Sequence, residues 1–188
     1  MKKYLTKPLS WLLAAGVILV VLAVYLVYQN VASKTADQVI AEASQLYSEQ
    51  KFDKAAALYE RSIDRAGLVN NPEAWNNYAN ILRELNKYDQ AEQAYLRAIS
   101  IDQLYEISFR NLISLDNGRS DLTAELKADK LKALALLLER AIAAKPDSVA
   151  LVEDAISTYR ILNDQANADK YQSIRSDLLL KLDHEEGN

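Results

Sequence analysis

"AWNNYANILRELNKYDQAEQAYLRAISID", residues 74–102, is the most regular stretch of the chain. Trp75, Tyr78, Ala79, Leu82 and Leu85 recur at three- and four-residue spacing, which sets them on one face of a helix. After a break at Asn86 a second series runs Tyr88, Ala91, Ala94, Tyr95, Ala98 and Ile99. Two antiparallel helices are predicted. Ala79, Ala91 and Ala98 fall where the pair crosses, because only a small side chain lets two helix backbones approach closely. Tyrosines and leucines fill the volume on either side, and Pro72 stands at the helix start, where a missing N–H costs least. The stretch holds no residue type suited to bond-making chemistry; it is built to be packed against.

The same pattern stands earlier in the chain. "KFDKAAALYERSI" (51–63) aligns with "KYDQAEQAYLRAI" (87–99): Lys, an aromatic, Asp, Ala, Tyr and Arg fall in register at an offset of 36 residues. A period of this size points to stacked helical hairpins, since one hairpin alone cannot bury its apolar face. Phe109, Leu112 and Ile113 open a third unit and "LERAIAAKPDS" (138–148) closes it. About nine residues more separate the helices of this unit than those of the second. Asp116, Asn117 and Gly118 are expected to supply its turn, and residues 121–144 a lengthened second helix. Val152, Ala155, Ile156 and Tyr159, then Ala168 and Tyr171, mark a fourth unit. Its last helix is expected to run through Leu178 to Leu182 as a cap on the open end.

Trp75, Tyr78, Ala79, Leu82, Ala91, Tyr95 and Ala98 together resemble the tetratricopeptide repeat. Gln103 stands where that family prefers a proline. The first unit has Glu42 where a large apolar residue is expected, which makes it a degenerate terminal copy. The resemblance implies an all-α fold, a right-handed superhelix of about four hairpins. The expected division is a tetratricopeptide-like domain over 36–182, in units of about 36–69, 72–105, 106–146 and 149–182, with a polar tail at 183–188.

Ahead of the repeats lies "LSWLLAAGVILVVLAVYLVY" (9–28), a run without charge. Twenty residues of helix reach about 30 Å, the thickness of a bilayer's hydrocarbon core, so a transmembrane signal-anchor helix is expected there. A cleavable signal peptide is the rival reading; the run is long for one, and no cysteine is present for lipoprotein processing. Lys2, Lys3 and Lys7 precede the run, which predicts a cytoplasmic segment at 1–8 and, past a linker at 29–35, an extracytoplasmic domain at the inner or plasma membrane, periplasmic in a cell with two membranes. Trp11, Tyr25 and Tyr28 are placed as headgroup-level rings.

Composition narrows the function classes. Four glycines and three prolines leave little punctuation for strands, in agreement with an all-helical chain. There is no cysteine, and the single histidine, His184, lies in the tail "DHEEGN". No nucleophile with its base, no glycine-rich phosphate loop and no metal-ligand spacing can be assembled; neither an enzymatic activity nor a cofactor nor a metal is predicted. Residues 34–188 carry 19 Lys and Arg against 26 Asp and Glu, a net of −7, which repels nucleic acid.

In tetratricopeptide proteins the first helices of successive units line a concave groove that receives a partner's segment. By that resemblance the groove here holds Tyr47, with Ile40 and Ser44; Asn76, Asn80 and Arg83; Arg110 and Ser114; and Arg160, with Glu153 and Ser157. Amide side chains both donate and accept, so Asn76 and Asn80 suit a peptide main chain, and the three arginines suit an acidic ligand. The family's carboxylate clamp is not reproduced. Asn77 alone matches, and Ile40, Ser44, Ile107 and Asn111 occupy its other positions. The expected function is a membrane-anchored scaffold or adaptor that binds a partner protein or peptide, in assembly or support of a membrane or envelope complex. The alternatives are a constitutive structural subunit with its groove unused, and the same adaptor facing the cytoplasm.

Overall fold

The structure is a computed structural model that describes residues 7–32, 34–65 and 67–186, with side chains over 13–26 and 34–184 apart from residue 66. Among the described residues there are nine helices and no strand: α1 (Lys7–Ala32), α2 (Ala36–Ser48), α3 (Phe52–Glu60), α4 (Pro72–Glu84), α5 (Tyr88–Ile101), α6 (Glu106–Gly118), α7 (Ala124–Ala144), α8 (Val149–Ile161) and α9 (Gln165–Glu186). From α2 onward, helices pair with their successors as hairpins. The first helices α2, α4, α6 and α8 also touch one another in order, so they form one wall of the stack.

The apolar run is helical, as α1, but its expected role is corrected. Among the described residues no helix is long and apolar enough to cross a membrane. The transmembrane anchor, the periplasmic or other extracytoplasmic placement and the membrane partner are therefore set aside. The cytoplasmic segment 1–8, Trp11 and Tyr28 lie outside the described side chains.

Helix limits follow from local chemistry. Thr35 opens α2 with a reciprocal capping box: its hydroxyl accepts from the Gln38 amide at 3.3 Å, and its own N–H donates to Gln38 Oε1 at 3.0 Å. Asn71, Thr123 and Ser148 cap α4, α7 and α8 in the simpler manner. Gln50, Asn86 and Asn163 adopt positive φ of 56–57° just past the ends of α2, α4 and α8. At each, the following N–H reaches back to the last turn: Lys51 to Leu46, Lys87 to Leu82 and Asp164 to Tyr159, all at 2.8–2.9 Å. This is the left-handed helix stop that turns the chain back with few residues.

The third hairpin departs from that scheme. Asp116, Asn117 and Gly118 form the last turn of α6 rather than a turn, Arg119 is extended, and α7 starts at Ala124 behind its Thr123 cap rather than at 121. Buried charge joins this hairpin to α5. Arg119, 5% exposed, lies 2.7 Å from Asp89, 3.5 Å from Glu92 and 2.6 Å from Asp121, and its guanidinium sits 5.7 Å over the Tyr88 ring. Lys130 of α7 pairs with Glu92.

The core is otherwise apolar. Ala79, Ala91, Ala98, Ala141 and Ala155 are fully covered at the helix crossings, with Tyr59, Tyr95, Phe109, Leu138 and Leu151 filling the spaces between. Burying one such large side chain contributes roughly 1.5–3 kcal/mol. Trp75 and Tyr78 pack against both the core of the first unit and that of the later ones, joining them. Glu42, out of place for an apolar position, is half-buried and paired with Lys34. In the last helix Leu178 packs on the core whereas Leu182 is exposed.

Candidate functional site

The wall formed by α2, α4 and α6 encloses a pocket of about 310 Å³. Ser44 and Tyr47 come from α2, Asn77, Asn80 and Arg83 from α4, and Asn111 from α6; Tyr59 of α3 lies at the base. The α4 residues reach it because positions three apart stand on one helix face. Ser44 is exposed at the rim.

Hydrogen bonds hold these side chains in place. The Tyr95 hydroxyl donates to Asn80 Oδ1 at 2.6 Å, which leaves the Asn80 amide hydrogens directed away from that contact. Tyr47 donates to Glu84 Oε1 at 3.3 Å, and Arg83 pairs with the same oxygen at 3.2 Å. The Arg83 charge is thereby partly met inside the protein. Among the described residues the buried Tyr59 hydroxyl makes no hydrogen bond of full geometry, and the Asn77 amide is the polar group that acts on it. Burial raises the Tyr59 phenol well above its ordinary range and pushes Tyr95 up to about 12; burial and the nearby Glu84 carboxylate raise Tyr47. All three phenols stay neutral near pH 7. The pocket therefore offers amides and hydroxyls with one compensated cation, a lining suited to hydrogen-bonding main chain and uncharged groups.

The expected groove residues do not all meet in one place. Tyr47, Asn80 and Arg83 meet at this pocket. Ser114 lines a second hollow of about 320 Å³ with Arg83, Asn86 and Tyr88. Arg160 lines a third, about 280 Å³, with Ser157, Glu153, Gln172 and Arg175. There Arg160 donates to Gln172 at 3.3 Å, and Arg175 pairs with Glu153 at 2.8 Å. Arg110, more than half exposed, donates to the buried Asp154 of α8 at 3.2 Å, an ion pair between units. Burial pushes Asp154 up to about 6, against the opposing pull of Arg110.

Asn76 is elsewhere. It is 3% exposed, and its Oδ1 accepts from Ser108 Oγ at 3.1 Å and from Asn111 Nδ2 at 3.0 Å. It fastens α4 to α6 instead of facing the groove. A first helix has neighbours on both flanks, so one of its polar faces is spent on the next unit. Asn77, one position on, is the amide at the pocket, and Asn111 joins it there from α6. The register supplies a signal for that pair: Asn111 follows Phe109 by two residues as Asn77 follows Trp75.

A tetratricopeptide repeat family model matches residues 40–105. Two crystal structures of MamA are similar to the chain. One aligns at 16% identity over 84% of this chain and 87% of that one, with a TM-score of 0.58. The other aligns at 15% over 77% and 73%, with a TM-score of 0.56. The second tetratricopeptide-repeat domain of human RPAP3, in complex with the HSP70 peptide SGPTIEEVD, aligns at 20% identity over 65% of this chain and 93% of that one, with a TM-score of 0.47. No curated protein matches significantly. The similarity to the tetratricopeptide repeat in sequence is carried by residues 40–105, and the likeness to MamA is one of fold.

Proposed function

We propose that the chain is a non-enzymatic protein-interaction scaffold whose residues 36–182 act as one stack of four units, about 36–69, 72–105, 106–146 and 149–182. Its pocket between α2, α4 and α6 holds an extended segment of a partner protein. The observation that carries this reading is the convergence of Asn77, Asn80 and Asn111 with Ser44 and Tyr47 on one open pocket, contributed by three successive units. Such groups hold a peptide main chain from several sides. Tyr47, Asn80 and Arg83 line this site; Ser114, Arg110 and Arg160 lie farther along the same wall and meet the segment's flanks. Asn76 supports the wall from behind.

The test uses a phage-displayed library of random dodecapeptides selected on the full chain. Replacing the exposed Ser44 with Trp fills the pocket from its rim. Selected peptides should bind this variant at least about tenfold more weakly, the loss of a central contact, while helicity and melting temperature stay those of the parent. A library that yields no binders, or binders indifferent to Ser44→Trp, would count against the groove.

A further inference from the structure

The pocket between α2, α4 and α6 is lined by amides whose orientation is fixed from behind. The hydroxyl of Tyr95, buried in α5, donates to Asn80 Oδ1 at 2.6 Å, so Asn80 keeps its Nδ2 hydrogens for the pocket. Asn111 is held the other way round. Asn76 Oδ1 accepts from Ser108 Oγ at 3.1 Å and from Asn111 Nδ2 at 3.0 Å, so the arm of Asn111 not committed to that bond is its acceptor, Oδ1. Two asparagines on successive first helices thus bring opposite ends of the same group to one pocket, a donor from α4 and an acceptor from α6.

The pocket is also a dead end. Its base is the buried Tyr59 of α3, behind the wall of first helices, and the buried Ala43 and Ile81 give it apolar sides. A main chain would have to double back to enter it, whereas a side chain enters from an extended chain that passes over the rim. To satisfy both asparagines, that side chain must accept at one atom and donate at another, with methylenes behind to lie on the apolar sides. A carboxamide does this. A carboxylate does not, because it has no proton for Asn111 Oδ1, and the Arg83 charge that would attract it is already shared with Glu84. An ammonium fails in the opposite way, having no lone pair for the Asn80 hydrogens.

We propose that the pocket reads a glutamine or asparagine side chain of the partner segment, whose carbonyl accepts from Asn80 Nδ2 and whose amide donates to Asn111 Oδ1. Tyr95 is the positioning residue that sets the sense of this reading, since its bond decides which end of Asn80 faces the pocket. The inference rests on the groove reading above and adds to it the chemical group that enters.

The probes are the dodecapeptides selected on the full chain, resynthesised with each carboxamide residue replaced in turn by its carboxylate counterpart and by lysine. At one peptide position both replacements should weaken binding about tenfold, the effect of one buried polar group left unpaired. Asn80→Asp tests the sense of the reading. A carboxylate there still accepts from Tyr95 and turns a second acceptor to the pocket in place of the donor. This variant should bind the carboxamide peptide about tenfold more weakly and favour the lysine peptide over it, with helicity and melting temperature close to those of the parent. Tyr95→Phe, which frees the Asn80 amide to turn over, should narrow the parent's preference for the carboxamide peptide over the lysine one. Selected peptides that share no glutamine or asparagine, replacements without effect at every position, or an Asn80→Asp variant that weakens both peptides alike would each overturn the proposal, and the groove itself would stand as long as Ser44→Trp still blocks the peptides. A library without binders would remove the groove and this inference together.

Discussion

The α4–α5 and α6–α7 hairpins occupy equivalent places in the stack and are closed by different physics. In α4–α5 the helices are 13 and 14 residues long, the left-handed Asn86 turns the chain in three residues, and Ala79, Ala91 and Ala98 are fully covered at the crossing. In α6–α7 the partners are 13 and 21 residues, the link at 119–123 has no left-handed residue, and Asp116 and Arg119 are buried where the chain leaves α6. The first closure is steric and depends little on conditions. The second is partly electrostatic, so it is sensitive to pH and to the loss of any single charge. A longer connection cannot place small residues against the partner with the same register, and a clasp of charges does the tying instead.

Removing the clasp's central cation should give the largest effect. Arg119→Met leaves Glu92 and Asp116 with Lys130 as their remaining cation, and stranding buried carboxylates costs on the order of 3 kcal/mol. Thermal melts followed by circular dichroism should show a fall of about 6–12 °C for a chain of this size. A variant that melts like the parent would mean that the apolar contacts of Leu112, Leu131, Leu134 and Leu138 close this hairpin alone.

The steric hairpin breaks in another way. Ala91→Phe inserts a ring where there is no exposed surface, and overpacking of this kind costs about 1–3 kcal/mol. The loss should be the same at pH 5 and pH 7.5, because no titrating group takes part. An unchanged midpoint in a urea titration would show that α4 and α5 do not cross at Ala91.

What the sequence made legible follows the same division. The crossing alanines and the stop at Asn86 are readable because their residue types are specific to their conformations: small for close approach, Asn for a left-handed backbone. Gln50 does the same work with a residue that carries no such signal. Asn76 and Asn77 differ by one position, and periodicity alone does not say which polar face meets the next unit. Asp116, Asn117 and Gly118 read as a turn, yet they are helical and the Arg119 that follows is buried, because the partners that cover it, Asp89 and Glu92, come from another helix. The hydropathy of residues 9–28 correctly predicts a helix, whereas crossing of a membrane is not supported among the described residues.

The smallest effect separates the hairpins most sharply, because its sign reverses the usual one. Asp116 is 2% exposed, one of its carboxylate oxygens has no hydrogen-bond partner among the described residues, and Glu92 faces it from α5 while Arg119 and Lys130 supply the opposing charge. Burial, reinforced by Glu92, pushes its pKa up to about 6 from an ordinary 3.8. The folded state therefore binds this proton more tightly than the unfolded state does. Its contribution is fully present below about pH 4 and is lost as pH rises through about 6. A shift of this size corresponds to about 1–3 kcal/mol. Asp154, buried between α6 and α8, acts in the same direction. The parent should melt higher at pH 5 than at pH 7.5. Asp116→Asn should melt above the parent at pH 7.5 and show roughly half the parent's gain on acidification, since Asp154 keeps its share. Equal pH dependence in parent and variant would place the titrating group elsewhere and leave the α6–α7 closure as indifferent to protons as that of α4–α5.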